Sequence, residues 1–350
     1  MYQLPNQWPT HFKVPSDWHR IRTIDMHTGG EPLRVILEGY PEIKGKNILE
    51  YRRYLIEHLD HLRTALMHEP RGHADMYGCL LVPPNDEGAD FGVIFLHNEG
   101  YSTMCGHAII ALGTLAVQMG WVAVQSPETC IRIDAPCGRI TTFLKVKKGQ
   151  VKGVKFHCVP SFVSALDLRI DVPELGPVSF DLAYGGAFYA YVHAKQIGLE
   201  LTKAHYGQII QKGMQIKRAI MASDIAVSHP FESDLSFLYG TIFIDDSPTE
   251  GMNSRNVCVF AEGEVDRCPT GSGVSGRMAI HYKRGDIKVG DNMYIESITG
   301  SVFRGSVFKP IDFGPFDAVI PEVEGSAYIT GQHEFLIDPN DPFKDGFFLR

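Results

Sequence analysis

The feature that most constrains this chain is a run of seventeen residues, 108–124, that carries no charge and follows directly on Met104-Cys105-Gly106-His107. An apolar stripe that wraps right round a helix requires apolar surroundings on every face. Gly113, Thr114, Gln118 and Gly120 interrupt the run, and it falls short of the ~20 apolar residues a bilayer crossing needs. The segment is therefore expected as a helix buried on nearly all sides by protein.

Composition supports a globular host for such a helix. With 350 residues, 44% hydrophobic and 21% charged, the chain has room for two cores, which excludes disorder, collagen and coiled coil. Lys and Arg number 33 against 41 Asp and Glu, so the net charge is −8 and no cationic excess exists to hold nucleic acid or an anionic membrane surface. A small-molecule partner is expected. The seven cysteines are odd in number and never spaced as CxxC, which argues against a disulfide framework and a zinc ribbon. The first twenty residues, with Trp8 and Trp18, show no basic region followed by an apolar one, so a cytoplasmic location without a signal peptide is expected.

Periodicity predicts one surface helix over residues 47–67, with Asn47 as N-cap, Glu50 three residues on, Tyr51, Leu55, Leu59, Leu62 and Leu66 inward, and Pro70 as the stop. A second is predicted over 202–217, with Leu201, Ile209 and Ile210 inward and Gly213 weakening its end. Strands are predicted at 33–37, 91–95, 130–133, 140–146, 154–159, 187–192, 239–244, 257–261, 293–298 and 301–308. Turns such as Lys148-Gly149-Gln150 and Thr299-Gly300-Ser301 suggest antiparallel hairpins, hence an α+β chain instead of a regular βαβ alternation. A weak repeat places Met104-Cys105-Gly106-His107-Ala108 165 positions before Pro269-Thr270-Gly271-Ser272-Gly273, each ahead of a helix-competent segment. Two half-molecules presenting helix N-termini would form one site between them.

Several motifs have ordinary readings. Residues 271–276 fit GxGxxG, but the preceding residues are polar and contain Pro269, and Asp291 precedes a strand, so a dinucleotide fold is disfavoured. What survives is an anion site made by backbone N–H groups at a helix start. His68-Glu69-Pro70-Arg71-Gly72-His73 has its histidines five apart with Pro and Gly between, so no metal is expected there, and His58 and His61 read as a solvated helix face. Cys79, Cys130, Cys137 and Cys158 default to buried small hydrophobes. Cys105 differs, because at a helix N-terminus its thiol is expected to titrate nearer neutrality and to act as nucleophile or base. Asp266 and Arg267 default to a surface turn, with Asp266 a candidate binder of an ammonium group.

Ile24-Asp25-Met26-His27-Thr28-Gly29-Gly30-Glu31-Pro32, Glu69-Pro70-Arg71-Gly72-His73, Asn98-Glu99-Gly100-Tyr101 leading to Met104-Cys105-Gly106-His107, and Asp266-Arg267-Cys268-Pro269-Thr270-Gly271-Ser272-Gly273 occur in that order. Together, from about residue 20 to the end, they resemble the proline racemase superfamily. The resemblance implies two pseudo-symmetric α+β domains, each a curved, mostly antiparallel sheet or barrel around a central helix, as in diaminopimelate epimerase. The expected division is 1–157 plus 326–350, carrying Cys105, and 158–325, carrying Asp266 and Thr270. Stereoinverting members use two cysteines, one on each face of the substrate. Here the second position reads Thr270, the pattern of the branch that dehydrates trans-3-hydroxy-L-proline to Δ1-pyrroline-2-carboxylate.

By that resemblance the chain is a cofactor-independent, metal-free hydro-lyase of amino-acid catabolism. Cys105 is the general base. Gly106, Gly271 and Ser272 give backbone donors to the substrate carboxylate, and His107 and Asp266 hold the ring nitrogen. The resemblance assigns Thr270 no role, and two are open on chemical grounds, donating to the departing hydroxyl or positioning a water. Cys268 stands where the family commonly has Ser and, beside Pro269, is expected to point away from the substrate face. The alternatives are a racemase or epimerase of proline or 4-hydroxyproline, using Cys105 with Cys268 or a water, and a non-catalytic amino-acid-binding protein. A homodimer is left open.

Overall fold

A computed structural model describes residues 12–349. The absence of a signal peptide was read mostly from residues outside that range. Through the first half of the chain run β1 (His19–Thr28), β2 (Glu31–Glu38), α1 (Ile48–His58), α2 (Asp60–Met67), β3 (Gly78–Val82), β4 (Phe91–Leu96), β5 (Tyr101–Ser102), α3 (Gly106–Gln118), β6 (Thr129–Ala135), β7 (Gly138–Lys147) and β8 (Gln150–His157). Then come β9 (Ser161–Val172), β10 (Gly176–Tyr184), β11 (Phe188–His193), α4 (Tyr206–Met221), β12 (Leu238–Asp245), β13 (Ser254–Phe260), β14 (Glu264–Val265), α5 (Gly271–Arg284), β15 (Asn292–Glu296), β16 (Val302–Phe313), β17 (Phe316–Gly325) and β18 (Ala327–Ile337).

The same order of ladders runs twice. β1 pairs antiparallel with β2, β2 parallel with β3, β3 antiparallel with β4, β4 parallel with β6, and β6 to β8 antiparallel. In the second half β10 and β11 are antiparallel, β11 and β12 parallel, β12 and β13 antiparallel, β13 and β15 parallel, and β15 to β17 antiparallel. Every parallel step needs a crossover, and helices supply it: α1 with α2, α3, α4 and α5 in turn. β9, β10, β11, β12, β13, β15, β16 and β17 close into a ring through the β17–β9 ladder, and β18 returns to pair with β1. The fold is thus a mixed, mostly antiparallel α+β assembly. All ten predicted strand segments lie in or overlap strands.

α3 packs against β1, β2, β7, β8, β17 and β18, while α5 packs against β9, β10, β16 and β17. Every α3 residue from Gly106 to Ala116 is buried, and each of its Ile and Leu side chains contributes about 1.5–3 kcal/mol relative to exposure. The helix is shorter than its uncharged run. It ends at Gln118, Gly120 takes φ +68, and Trp121 N–H donates to the Ala116 carbonyl, so the rest is a partly exposed turn. Among the described residues no helix is long and apolar enough to cross a membrane.

Two other helices differ from prediction. The 47–67 helix begins as predicted, with Asn47 Oδ1 accepting from Glu50 N–H and Glu50 bonding back to the Lys46 N–H and the Asn47 side-chain amide. It breaks at Leu59, because Asp60 opens a second helix and ion-pairs with Arg63 three residues on. α4 runs on to Met221 through Gly213, where a Cβ would lie 2.6 Å from Val259 Cβ, so this glycine permits close packing instead of ending the helix.

Candidate active site

The N-termini of α3 and α5 meet. A Cβ on Gly106 would sit 2.5 Å from Gly271 Cα, and one on Gly271 would sit 2.7 Å from Gly106 Cα, so only glycine at both positions lets the helices approach. The N–H groups of a first helical turn have no intrahelical acceptor, and both dipoles point their positive ends at this contact. That arrangement suits a carboxylate. The other glycines of the 271–276 motif serve packing: a Cβ at Gly273 would meet Ile242, and one at Gly276 would meet the Tyr191 hydroxyl.

Cys105, Gly106, His107, Asp266, Thr270, Gly271 and Ser272 all line one cavity of about 20 Å³, completed by Tyr77, Met104, Tyr189, Tyr239 and Phe260. That is room for roughly one water. Cys105 is the N-cap of α3; its Sγ accepts the Ala108 N–H at 3.4 Å and lies 3.1 Å from His107 Nδ1. His107 Nε2 is 3.2 Å from the Pro32 carbonyl, which can only accept, so the ring proton sits on Nε2 and Nδ1 offers its lone pair to the thiol. Burial depresses His107 to about 3, leaving the ring neutral. The thiol departs from expectation in the other direction. Burial pushes Cys105 well above its ordinary range and outweighs the Ala108 N–H, so the closed site holds a neutral thiol and imidazole.

On the opposite side Thr270 is the N-cap of α5, with φ +67 in the left-handed region that a branched side chain rarely adopts. Its hydroxyl donates to Asp266 Oδ2 at 2.7 Å, and Cys268 N–H donates to Asp266 Oδ1 at 2.7 Å. Asp266 is buried, not on a surface turn, and burial raises its pKa. Arg267 is half-buried in an ion pair with Asp75 at 2.7 Å. The Ser272 hydroxyl is 2.7 Å from that of Tyr189.

Sequence reasoning gave Glu31 no role, although it stands in a quoted motif. It is fully buried, Oε2 accepts the Arg267 N–H at 2.7 Å, and Oε1 has no hydrogen-bond partner. Burial and the neighbouring Asp266 charge push its pKa well up. Its place in a quoted motif was the signal available; no motif marked Tyr77, Tyr189, Tyr239 or Phe260.

Cys268 is completely buried and does not line the cavity, yet its sulfur lies within 4.8 Å of donor atoms of His107 and Asp266. These three are the one group among the described residues with metal-ligand spacing. Asp266 accepts from Cys268 N–H and from the Thr270 hydroxyl, one bond on each oxygen, and His107 Nδ1 faces Cys105. His68 bonds the Asn98 carbonyl while His73 accepts from Asp75 N–H, so the two do not share a centre. All seven cysteines are free thiols; Cys130, near the start of β6, and Cys137, in the turn between β6 and β7, are partly exposed, whereas Cys79, Cys158 and Cys258 are buried.

A model of the proline racemase family matches residues 23–348. The chain belongs to the proline racemase family. A relative from Colwellia psychrerythraea, named trans-3-hydroxy-L-proline dehydratase, is 48% identical over 344 residues, covering 98% of this chain and 96% of the relative. A human protein of the same name is 47% identical over 337 residues, covering 94% and 95%. Among solved structures of the family, a hydroxyproline epimerase from Agrobacterium vitis with bound trans-4-hydroxy-L-proline superposes with a TM-score of 0.88 at 31% identity, covering 95% of this chain and 96% of that one.

Proposed function

We propose that this chain is a cofactor-independent hydro-lyase that dehydrates trans-3-hydroxy-L-proline to Δ1-pyrroline-2-carboxylate. The observation that carries the reading is the asymmetry of the cavity: a thiol at one helix N-cap and, at the other, a threonine whose hydroxyl is bound to Asp266. The names of the relatives point the same way.

In the proposed reaction the substrate carboxylate lies on the first-turn amides of Gly106, Gly271 and Ser272, which stabilise the charge that grows there as Cα loses its proton. Asp266 and His107 hold the ring nitrogen. The Cys105 thiolate takes the Cα proton, the electron pair forms the Cα–C3 double bond, and the C3–O bond breaks. In the trans isomer the Cα hydrogen and the 3-hydroxyl share one ring face. Cys105 can therefore return the same proton to the departing oxygen, which leaves as water, and the enamine tautomerises to the imine. Base and acid are then one group on one face. Thr270, its proton already given to Asp266, holds that carboxylate in place instead of protonating the leaving group.

The same reading divides the chain into pseudo-symmetric units, 1–157 plus 326–350 and 158–325, around α3 and α5; the repeated ladder order and the β18–β1 pairing support it. Seven free thiols favour a reducing, cytoplasmic setting, and light scattering would decide between monomer and homodimer. A second reading, racemisation or epimerisation with Cys268 as the other acid, is favoured by that sulfur's nearness to His107 and Asp266. Incubation with trans-3-hydroxy-L-proline, L-proline and trans-4-hydroxy-L-proline in D2O separates them. Loss of water from the first alone is expected, and inversion of either other substrate with deuterium at Cα would favour the second reading.

A further inference from the structure

The catalytic cavity is too small for a pyrrolidine carboxylate, which is several times the size of a water, so the substrate must arrive through a part of the wall that yields. A second cavity, of about 370 Å³, lies against that wall, and Tyr239 lines both. That volume falls in the ordinary range of small-ligand sites. Between the two stand rings in edge and tilted contact: His97 is 5.5 Å from Tyr239 and 6.0 Å from Tyr77, centroid to centroid, and Tyr239 is 5.3 Å from Phe260. His97 is buried and held neutral, so the partition carries no charge.

The outer cavity is built from both halves of the chain. Arg52 on α1 and the turn at Glu99 and Gly100 come from the first, and Lys217 on α4 and Tyr239 on β12 from the second. Beside the ring contacts of His97 and Tyr77 with Tyr239 and Phe260, polar contacts join the halves here: Lys217 Nζ to Glu99 Oε2 at 3.3 Å, Arg53 to Asp234 at 3.0 Å, and Asn98 with the backbone of Glu262. Water can replace such contacts, whereas the packed interface of α3 and α5 has no such substitute. Charge is graded as well. The Lys217 side chain is 5% exposed, Arg52 is half-buried, and the carboxylates of Glu99 and Asp60 are 42% and 41% exposed. Positive charge thus lies deep and negative charge at the mouth.

We infer that this outer cavity is an entry site for a zwitterionic imino acid, which it takes up carboxylate first and passes to the catalytic cavity when Tyr239 and its neighbours part. The inference rests on the reading under Proposed function for the identity of the ligand, though not for the route. Carboxylate-first entry also delivers the substrate with that group leading toward the paired helix N-termini.

Gly100 offers a direct test. It lines the outer cavity, its φ lies outside the left-handed region, and a Cβ there would meet nothing within 4 Å, so a large side chain can be added without a backbone clash. Gly100→Trp should obstruct the cavity. The rate of Cys105 alkylation by iodoacetamide, read by intact mass against Cys105→Ser, and kcat/KM for trans-3-hydroxy-L-proline should both fall by about tenfold or more, with the melting temperature little changed. Ile56→Trp, at a 44% exposed position lining the same cavity, should do likewise and serves if the first variant does not fold. An unchanged alkylation rate in a folded variant overturns the route. A wild-type chain that is alkylated through this cavity but leaves trans-3-hydroxy-L-proline intact would keep the route and refute the proposed reaction instead.

Discussion

The N-terminus of α3 and that of α5 are built alike and furnished differently. Each opens with a buried glycine that touches the other, and each follows an N-cap whose side chain faces the same cavity. At α3 the N-cap is a thiol whose sulfur faces the Nδ1 lone pair of a neutral imidazole. At α5 it is a hydroxyl tied to a carboxylate, which positions Asp266 and has no accessible pKa of its own. Symmetric backbone provides the anion site, and the asymmetric caps decide whether a proton is exchanged across the substrate plane or handled on one face.

The most severe way to break this comparison is Cys105→Ser, which removes the one cavity-facing thiol and should lower kcat for dehydration by about a thousandfold, with the substrate still able to bind. Gly106→Ala attacks what the two termini share. The new methyl must displace Gly271, so kcat/KM should fall by roughly a hundredfold and stability by about 1–3 kcal/mol, read by steady-state kinetics and denaturant titration. Thr270→Cys attacks the difference. Losing the bond to Asp266 should lower dehydration about tenfold, while the new thiol should introduce racemisation of L-proline; a variant that dehydrates normally and racemises nothing would remove Thr270 from the explanation.

Smaller effects sharpen the picture. Because burial holds the Cys105 thiol above its usual range and His107 far below neutrality, kcat/KM should rise continuously from about pH 6 to about pH 9 with no acid limb from His107. Glu31 is raised in the folded state, so its contribution to stability is present at low pH and is lost as pH rises through its folded value. Glu31→Gln keeps an acceptor for Arg267 N–H and should flatten that decline in melting temperature. Cys268→Ser should change kcat by less than about twofold; a loss comparable to that of Cys105→Ser would make Cys268 the missing second acid.

Much of this was legible in the chain. Strands whose side chains are apolar over several positions, such as β4 and β13, declared themselves, and the paired cap motifs located both helix N-termini. β1, β9 and β18 were missed: β9 does carry a strand pattern, alternating Asp167, Arg169 and Asp171 with Leu168 and Ile170, whereas exposed β18 mixes polar and apolar residues without a period. The helix break at Leu59 was hidden because its apolar spacing continues across it. All seven candidate site residues came to one cavity because they sit in short segments around two caps. The tyrosines of the wall arrive from distant strands, and no local pattern could announce them. The Cys105 environment was misjudged for a related reason: the dipole is a local property of the helix, whereas the burial that overrides it is made by the whole fold.

Incubating the wild-type chain with L-proline in D2O and resolving the enantiomers tests the one-sided chemistry most directly. No D-proline should accumulate, because the second cap presents a hydroxyl tied to Asp266 in place of a second thiol. D-proline carrying deuterium at Cα would contradict it.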